Sequence, residues 1–141
     1  MRNGSISGFG FGVNLEGDGS IVEGVRFSGG PGTSEFGITA RGIVKNNTVV
    51  GGFTGGGGGG TGISASGIVT GNYVTAYRFA GFEIGQGSTV TGNTALSTGS
   101  LLNVGISVSC PSNVTDNTAI NNEINLQLRG TGCNNTNNVA P

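Results

Sequence analysis

Seven carboxylates are spread along this 141-residue chain, at Glu16, Asp18, Glu23, Glu35, Glu83, Asp116 and Glu123, against six Lys plus Arg and no His. Carboxylates working in pairs supply the acid and base, or acid and nucleophile, that cleave glycosidic bonds. Without His, every scheme that needs an imidazole is excluded. Two cysteines alone, Cys110 and Cys133, are too few to hold a metal, so no metal site is expected. The stretch "GGFTGGGGGG" at 51–60 has the glycines of a phosphate loop but neither the following Lys-Ser/Thr nor a helix to present its N-terminus. "GFGFG" at 8–12 fails as a dinucleotide fingerprint for the same lack of a helix, and no cofactor is expected.

Whether any of these groups meet depends on the elements that carry them, and those elements repeat. "GIVKNNTVV" at 42–50 returns as "GIVTGNYVT", "STVTGNTAL" and "SNVTDNTAI". Aligned on the asparagine, one column reads Gly4, Val25, Asn47, Asn72, Asn93, Asn117 and Asn138, with steps of 21 to 25 residues. Two residues later runs an apolar column of Ile6, Phe27, Val49, Val74, Ala95, Ala119 and Ala140. Three residues earlier runs another, Met1, Val22, Val44, Val69, Val90, Val114 and, as an exception, Asn135. A third block, "GVNLEG", "GITARG", "GISASG", "GFEIGQ", "GISVSC" and "NLQLRG", alternates apolar and polar with period two, the mark of a strand with one buried face.

No segment keeps a 3.6-residue period, and 31 glycines oppose stable helices. Units this short cannot bury their own apolar faces and must stack on their neighbours, whereas propeller blades need about 40 residues each. The expected fold is all-β: one domain over 1–141, a right-handed, single-stranded parallel β-helix of about six coils of 21–25 residues. At ~4.8 Å per coil such a rod is about 29 Å long. The asparagines are expected at the corners, tolerating a left-handed backbone and bonding along the stack as a ladder of Asn47, Asn72, Asn93 and Asn117. The glycine run at 51–60 falls in the longest coil and is expected to protrude as a loop.

The remaining composition bounds the partners. Charged residues are 9%, net charge is −1, and the basic residues stand singly, which excludes nucleic acid and anionic membranes. No apolar run approaches the ~18 residues that span a bilayer, and "MRNGSISGFGFG" does not read as a signal peptide.

At these repeats the chain resembles the right-handed parallel β-helix proteins of the pectate-lyase-like superfamily, whose coils commonly read Gly-Ile-x-Val followed by Asn-x-Val. The likeness covers essentially residues 1–140. It implies the fold, and it implies a superfamily of polysaccharide lyases, glycoside hydrolases, phage tailspikes, surface proteins and members with no known role. The Asn-Thr-Asp, Asp-Asp, Gly-His-Gly and Arg-Ile-Lys patterns of its pectin hydrolases are not recognised here. The closing stretch from Ser109 looks like the natural end of bacterial members, while Met1 stands where a mid-coil Val belongs. An uncapped N-terminal end exposes strand edges, and pairing with a second copy there is an expectation.

The outward positions of the third block collect Asn14, Thr39, Ser64, Glu83, Ser107 and Gln127, then Glu16, Arg41, Ser66, Gly85, Ser109 and Arg129. From these, Asn14, Glu16, Thr39, Arg41, Ser64, Ser66 and Glu83 form the expected ligand face, with Glu16 beside Arg41 as a surface ion pair. Regularly spaced hydroxyls and charges suit a polysaccharide. An aromatic platform for a sugar is sought in Tyr73 and Tyr77, with Tyr77 and Arg78 the best by type, although packing over a loop suits them better. Ice binding by this face is disfavoured, because Arg41, Glu83 and Gly85 interrupt the array. The functional expectation is a non-catalytic structural or surface-interaction module, and the alternative is a minimal or remnant carbohydrate-active enzyme.

Cys110 and Cys133 lie on neighbouring coils, about two residues out of column around Pro111, which is compatible with a disulfide. A disulfide favours an exported or surface protein, and the missing signal favours the cytoplasm or a truncated start.

Overall fold

The computed structural model describes residues 1–30, 36–51, 60–97 and 104–141. Its strands, in chain order, are β1 (Arg2–Ser7), β2 (Phe11–Ser28), β3 (Phe36–Lys45), β4 (Thr48–Val50), β5 (Thr61–Thr70), β6 (Tyr73–Thr75) and β7 (Ala80–Ile84). They continue with β8 (Thr89–Thr91), β9 (Thr94–Leu96), β10 (Val104–Ser109), β11 (Asn113–Thr115), β12 (Thr118–Ile120), β13 (Ile124–Arg129) and β14 (Asn134–Thr136). Every pairing between them is parallel, and no helix occurs among the described residues.

The strands stack into three faces around one axis. On the first, β2, β3, β5, β7, β10 and β13 set Val13, Ile38, Ile63, Phe82, Ile106 and Leu126 in register, and the next inward position stacks Leu15, Ala40, Ala65, Ile84, Val108 and Leu128. On the second, β2, β3, β5, β8, β11 and β14 stack Val22, Val44, Val69, Val90, Val114 and Asn135. On the third, β1, β2, β4, β6, β9 and β12 stack Ile6, Phe27, Val49, Val74, Ala95 and Ala119. The length of β2 follows from its passing through all three faces. Six rungs on a face leave five steps between them, so the parallel β-solenoid winds about five turns where the repeat columns count about six coils.

Branched side chains pack well on such pleated faces, and the Val column from Val22 to Val114 is wholly buried. One continuous core joins the three columns from Val13 to Ala119. In the last rung the second column turns polar: Asn135 stands at the inward Val position and is exposed, while the first column keeps Leu126 and Leu128.

The asparagine ladder runs up one corner of the rod, buried throughout its four middle members. Asn72 Oδ1 accepts from the Asn47 backbone N–H at 3.0 Å and from Asn47 Nδ2 at 2.9 Å, while Asn72 Nδ2 donates to Val44 O and to Asn93 Oδ1, both at 2.9 Å. Asn93 repeats the pattern against Asn117, and Asn117 against Asn138. At the upper end the Val25 N–H donates to Asn47 Oδ1 at 2.8 Å; at the lower, Asn138 Nδ2 donates to Asn135 Oδ1 at 2.6 Å.

The left-handed backbone does not fall on the ladder itself, as expected from sequence, but one residue earlier. Asn3, Gly24, Asn46, Gly71, Gly92, Asp116 and Asn137 all have φ between 48° and 64°. Gly, Asn and Asp are the residues that adopt this region at least cost. The turn is thus made by one residue, and from Asn46 onward the next points its amide inward.

A second, shorter ladder lies at the corner between the first and second faces. The Gly67 N–H donates to Ser88 Oγ and the Ser88 N–H to Ser112 Oγ, each at 3.1 Å. The glycine run expected to protrude at 51–60 lies, apart from its end residues, outside the described residues. Gly51 and Gly60 hold backbone bonds to the neighbouring coil through Gly51 N to Thr75 O and Phe79 N to Gly60 O.

Cys110, just past β10, and Cys133, just before β14, form a disulfide with Cα atoms 5.0 Å apart at a sequence separation of 23. The bridge therefore closes one turn of the winding. Closing a loop of this length restricts the unfolded chain by roughly 3 kcal/mol. The double variant Cys110→Ser/Cys133→Ser is expected to lose about that much in urea unfolding, and the wild-type protein should match it when reduced; equal midpoints for all would show that the bridge does not act on stability.

Candidate functional site

The outward side of the first face carries a shallow groove of about 410 Å³. Alternation along the strands puts Thr39 and Arg41 of β3 and Ser64 and Ser66 of β5 outward while Ile38, Ala40, Ile63 and Ala65 turn into the core. The rungs below add Glu83, Gly85, Ser107, Ser109 and Arg129, and Glu16 lies at the upper rim. Thr39 pairs with Ser64 and Arg41 with Ser66, so the side chains repeat from rung to rung.

Of the residues singled out from sequence, Glu16, Thr39, Arg41, Ser64, Ser66 and Glu83 line this groove; Asn14 is exposed on the top rung and does not. Ser107, Ser109 and Arg129 extend the lining toward the C-terminal end. Their signal was present in the same outward columns.

One expectation needs correction, and at Tyr77 the packed alternative is the one found. Glu16 does not pair with Arg41: between Leu15 and Ser20, β2 takes five residue steps while β3 takes two, and the bulged segment lifts Glu16 out of register. Ion pairs form instead between Arg2 and Glu23, Lys45 and Glu23, and Arg129 and Glu83, at 3.4, 3.0 and 3.7 Å. Tyr77 is no platform for a sugar. It is 2% exposed, its hydroxyl bonds the side chain of Asn122, and burial pushes its phenol pKa up. Arg78 is half-buried, and Tyr73 stands on the third face, away from the groove.

The groove divides electrostatically. In its lower half Glu83 reaches over two rungs to Arg129, Arg129 Nε donates to Gln127 Oε1 at 3.0 Å, and the Ser107 hydroxyl lies 3.4 Å from the same oxygen. In the upper half Thr39, Arg41, Ser64 and Ser66 make no side-chain hydrogen bond or ion pair among the described residues. Among those residues, no three His, Cys, Asp or Glu side chains come together as metal ligands would.

No family model matches the chain, and no curated protein or solved structure matches it either. Its class is defined by the winding itself: a parallel β-solenoid, held at one corner by stacked asparagines, with a polar groove along one flat face.

Proposed function

We propose that the chain is a right-handed β-helix of the pectate-lyase-like kind that acts as a rigid, non-catalytic surface module and binds polysaccharide along the first face. The observation that carries this reading is the spacing of the groove's two carboxylates. Glu16 and Glu83 belong to β2 and β7, three rungs apart, which separates their strands by roughly 14 Å. Glycoside hydrolysis needs carboxyl groups about 5 to 9.5 Å apart. Glu83 is further engaged by Arg129. A ladder of hydroxyls and charges carried from rung to rung instead suits recognition of an extended glycan, whose own hydroxyls repeat along its length.

A glycan array combined with a panel of lyase and hydrolase assays tests this. Binding without turnover is expected. Turnover abolished by Glu83→Gln would establish the competing reading, a remnant carbohydrate-active enzyme. Neither binding nor turnover would leave a purely structural role.

A further inference from the structure

We infer that the upper half of the groove is a seat for a sulfate ester on the bound polysaccharide, an inference that rests on the polysaccharide reading above. The observation behind it is the split in hydrogen bonding along one continuous face. In the lower half the charged groups and their neighbours are engaged with one another through Glu83, Arg129, Gln127 and Ser107, and only the Ser109 hydroxyl stands apart. The upper half presents four donors with no protein partner among the described residues: the guanidinium of Arg41 and the hydroxyls of Thr39, Ser64 and Ser66.

Their arrangement is fixed by the sheet. Thr39 and Arg41 are alternate residues on β3, roughly 6.7 Å apart, and their partners Ser64 and Ser66 lie one rung below, roughly 4.8 Å away. Four outward side chains thus stand at the corners of a small rectangle whose backbone is rigid. The guanidinium brings a fork of N–H donors that fits an oxyanion in two-point fashion, and hydroxyls can turn their protons toward it. A carboxylate has two oxygens, which the fork alone would occupy. A sulfate ester has three terminal oxygens and can engage the fork and the hydroxyls together. The nearest acid below, Glu83, is already neutralised by Arg129, and Glu16 is lifted to the rim by the bulge in β2.

The test uses the intact protein in calorimetric titrations with four probes: a neutral galactan oligosaccharide, the same oligosaccharide bearing sulfate esters, an oligogalacturonate, and inorganic sulfate. The sulfated oligosaccharide is expected to bind at least tenfold more tightly than the neutral one, as charge-assisted bonds to a guanidinium allow. Arg41→Gln should erase that difference, and Arg41→Lys should restore part of it. Arg26→Gln, on the third face, should leave it unchanged. Equal binding of neutral and sulfated probes, indifferent to Arg41→Gln, would overturn the sulfate seat and leave the polysaccharide reading standing. Preference for the oligogalacturonate would overturn the choice of sulfate over carboxylate. Inorganic sulfate bound as tightly as the ester would make this a free-anion site and overturn the inference. Failure of every glycan to bind would overturn both readings.

Discussion

Asn72→Ala is expected to lower the unfolding free energy by about 2 to 6 kcal/mol, read from urea denaturation followed by circular dichroism. Truncation leaves the Asn47 backbone N–H and the Val44 carbonyl without the bonds they make to Asn72, and both lie inside the corner of the rod. It also cuts the side-chain links to Asn47 and Asn93. Each buried group left unpaired costs about 1–3 kcal/mol, a large share of the 5–15 kcal/mol that stabilises an ordinary domain. Asn134→Ala, at an exposed position of β14, should change stability by less than about 0.5 kcal/mol. Equal effects for the two variants would mean that the ladder does not hold the corner.

The second large effect is at Gly67, where the chain passes from the first face to the second. Its φ is +108°, and a Cβ built there would lie 2.3 Å from Gly42 O. An L side chain therefore meets both a backbone conformation reserved for glycine and a collision with backbone that cannot rotate away. The shift needed would also disturb the Gly67 N–H bond to Ser88 Oγ. Gly67→Ala is expected to cost about 3 kcal/mol or more. Gly92→Ala provides the comparison: φ is +62° and the nearest atom to the new Cβ is 4.0 Å away, so only left-handed strain of about 1–2 kcal/mol applies. Similar losses at both sites, measured by thermal unfolding, would show that close stacking at the Gly67 corner is not what demands glycine.

Much of this was legible from sequence because the solenoid is a one-dimensional object. A period of two placed Val13, Ile38, Ile63 and Phe82 inward, and steps of 25, 25 and 19 residues placed each above the next, as their pairing requires. The ladder was legible for the same reason, since a buried Asn recurring at a fixed offset from a buried Val can satisfy its amide only from the adjacent coil.

The misreadings came where spacing carries no information. A bulge in β2 keeps the overall count while moving Glu16 out of column, because extra residues between Leu15 and Ser20 are absorbed within the same long coil. Tyr77 and its partner Asn122 each lie five residues past a ladder asparagine, two coils apart, but the columns aligned from sequence stop short of that position and so do not bring the pair out. The left-handed position fell on the residue before the ladder, where Asn46, Gly71, Gly92 and Asp116 share only conformational tolerance, which an alignment on the invariant-looking Asn does not highlight. In the groove, sequence identified which side chains face outward, but not that Glu83 and Arg129 satisfy each other across two rungs and leave Arg41 to face solvent.

The stacking of the second face is open to direct measurement by methyl-labelled NMR. Nuclear Overhauser contacts should run in series from the methyls of Val44 to Val69, Val69 to Val90 and Val90 to Val114, linking residues that are 25, 21 and 24 positions apart in the chain. Absence of those contacts, together with antiparallel contacts between strands fewer than about a dozen residues apart, would contradict the winding and with it the groove that the winding builds.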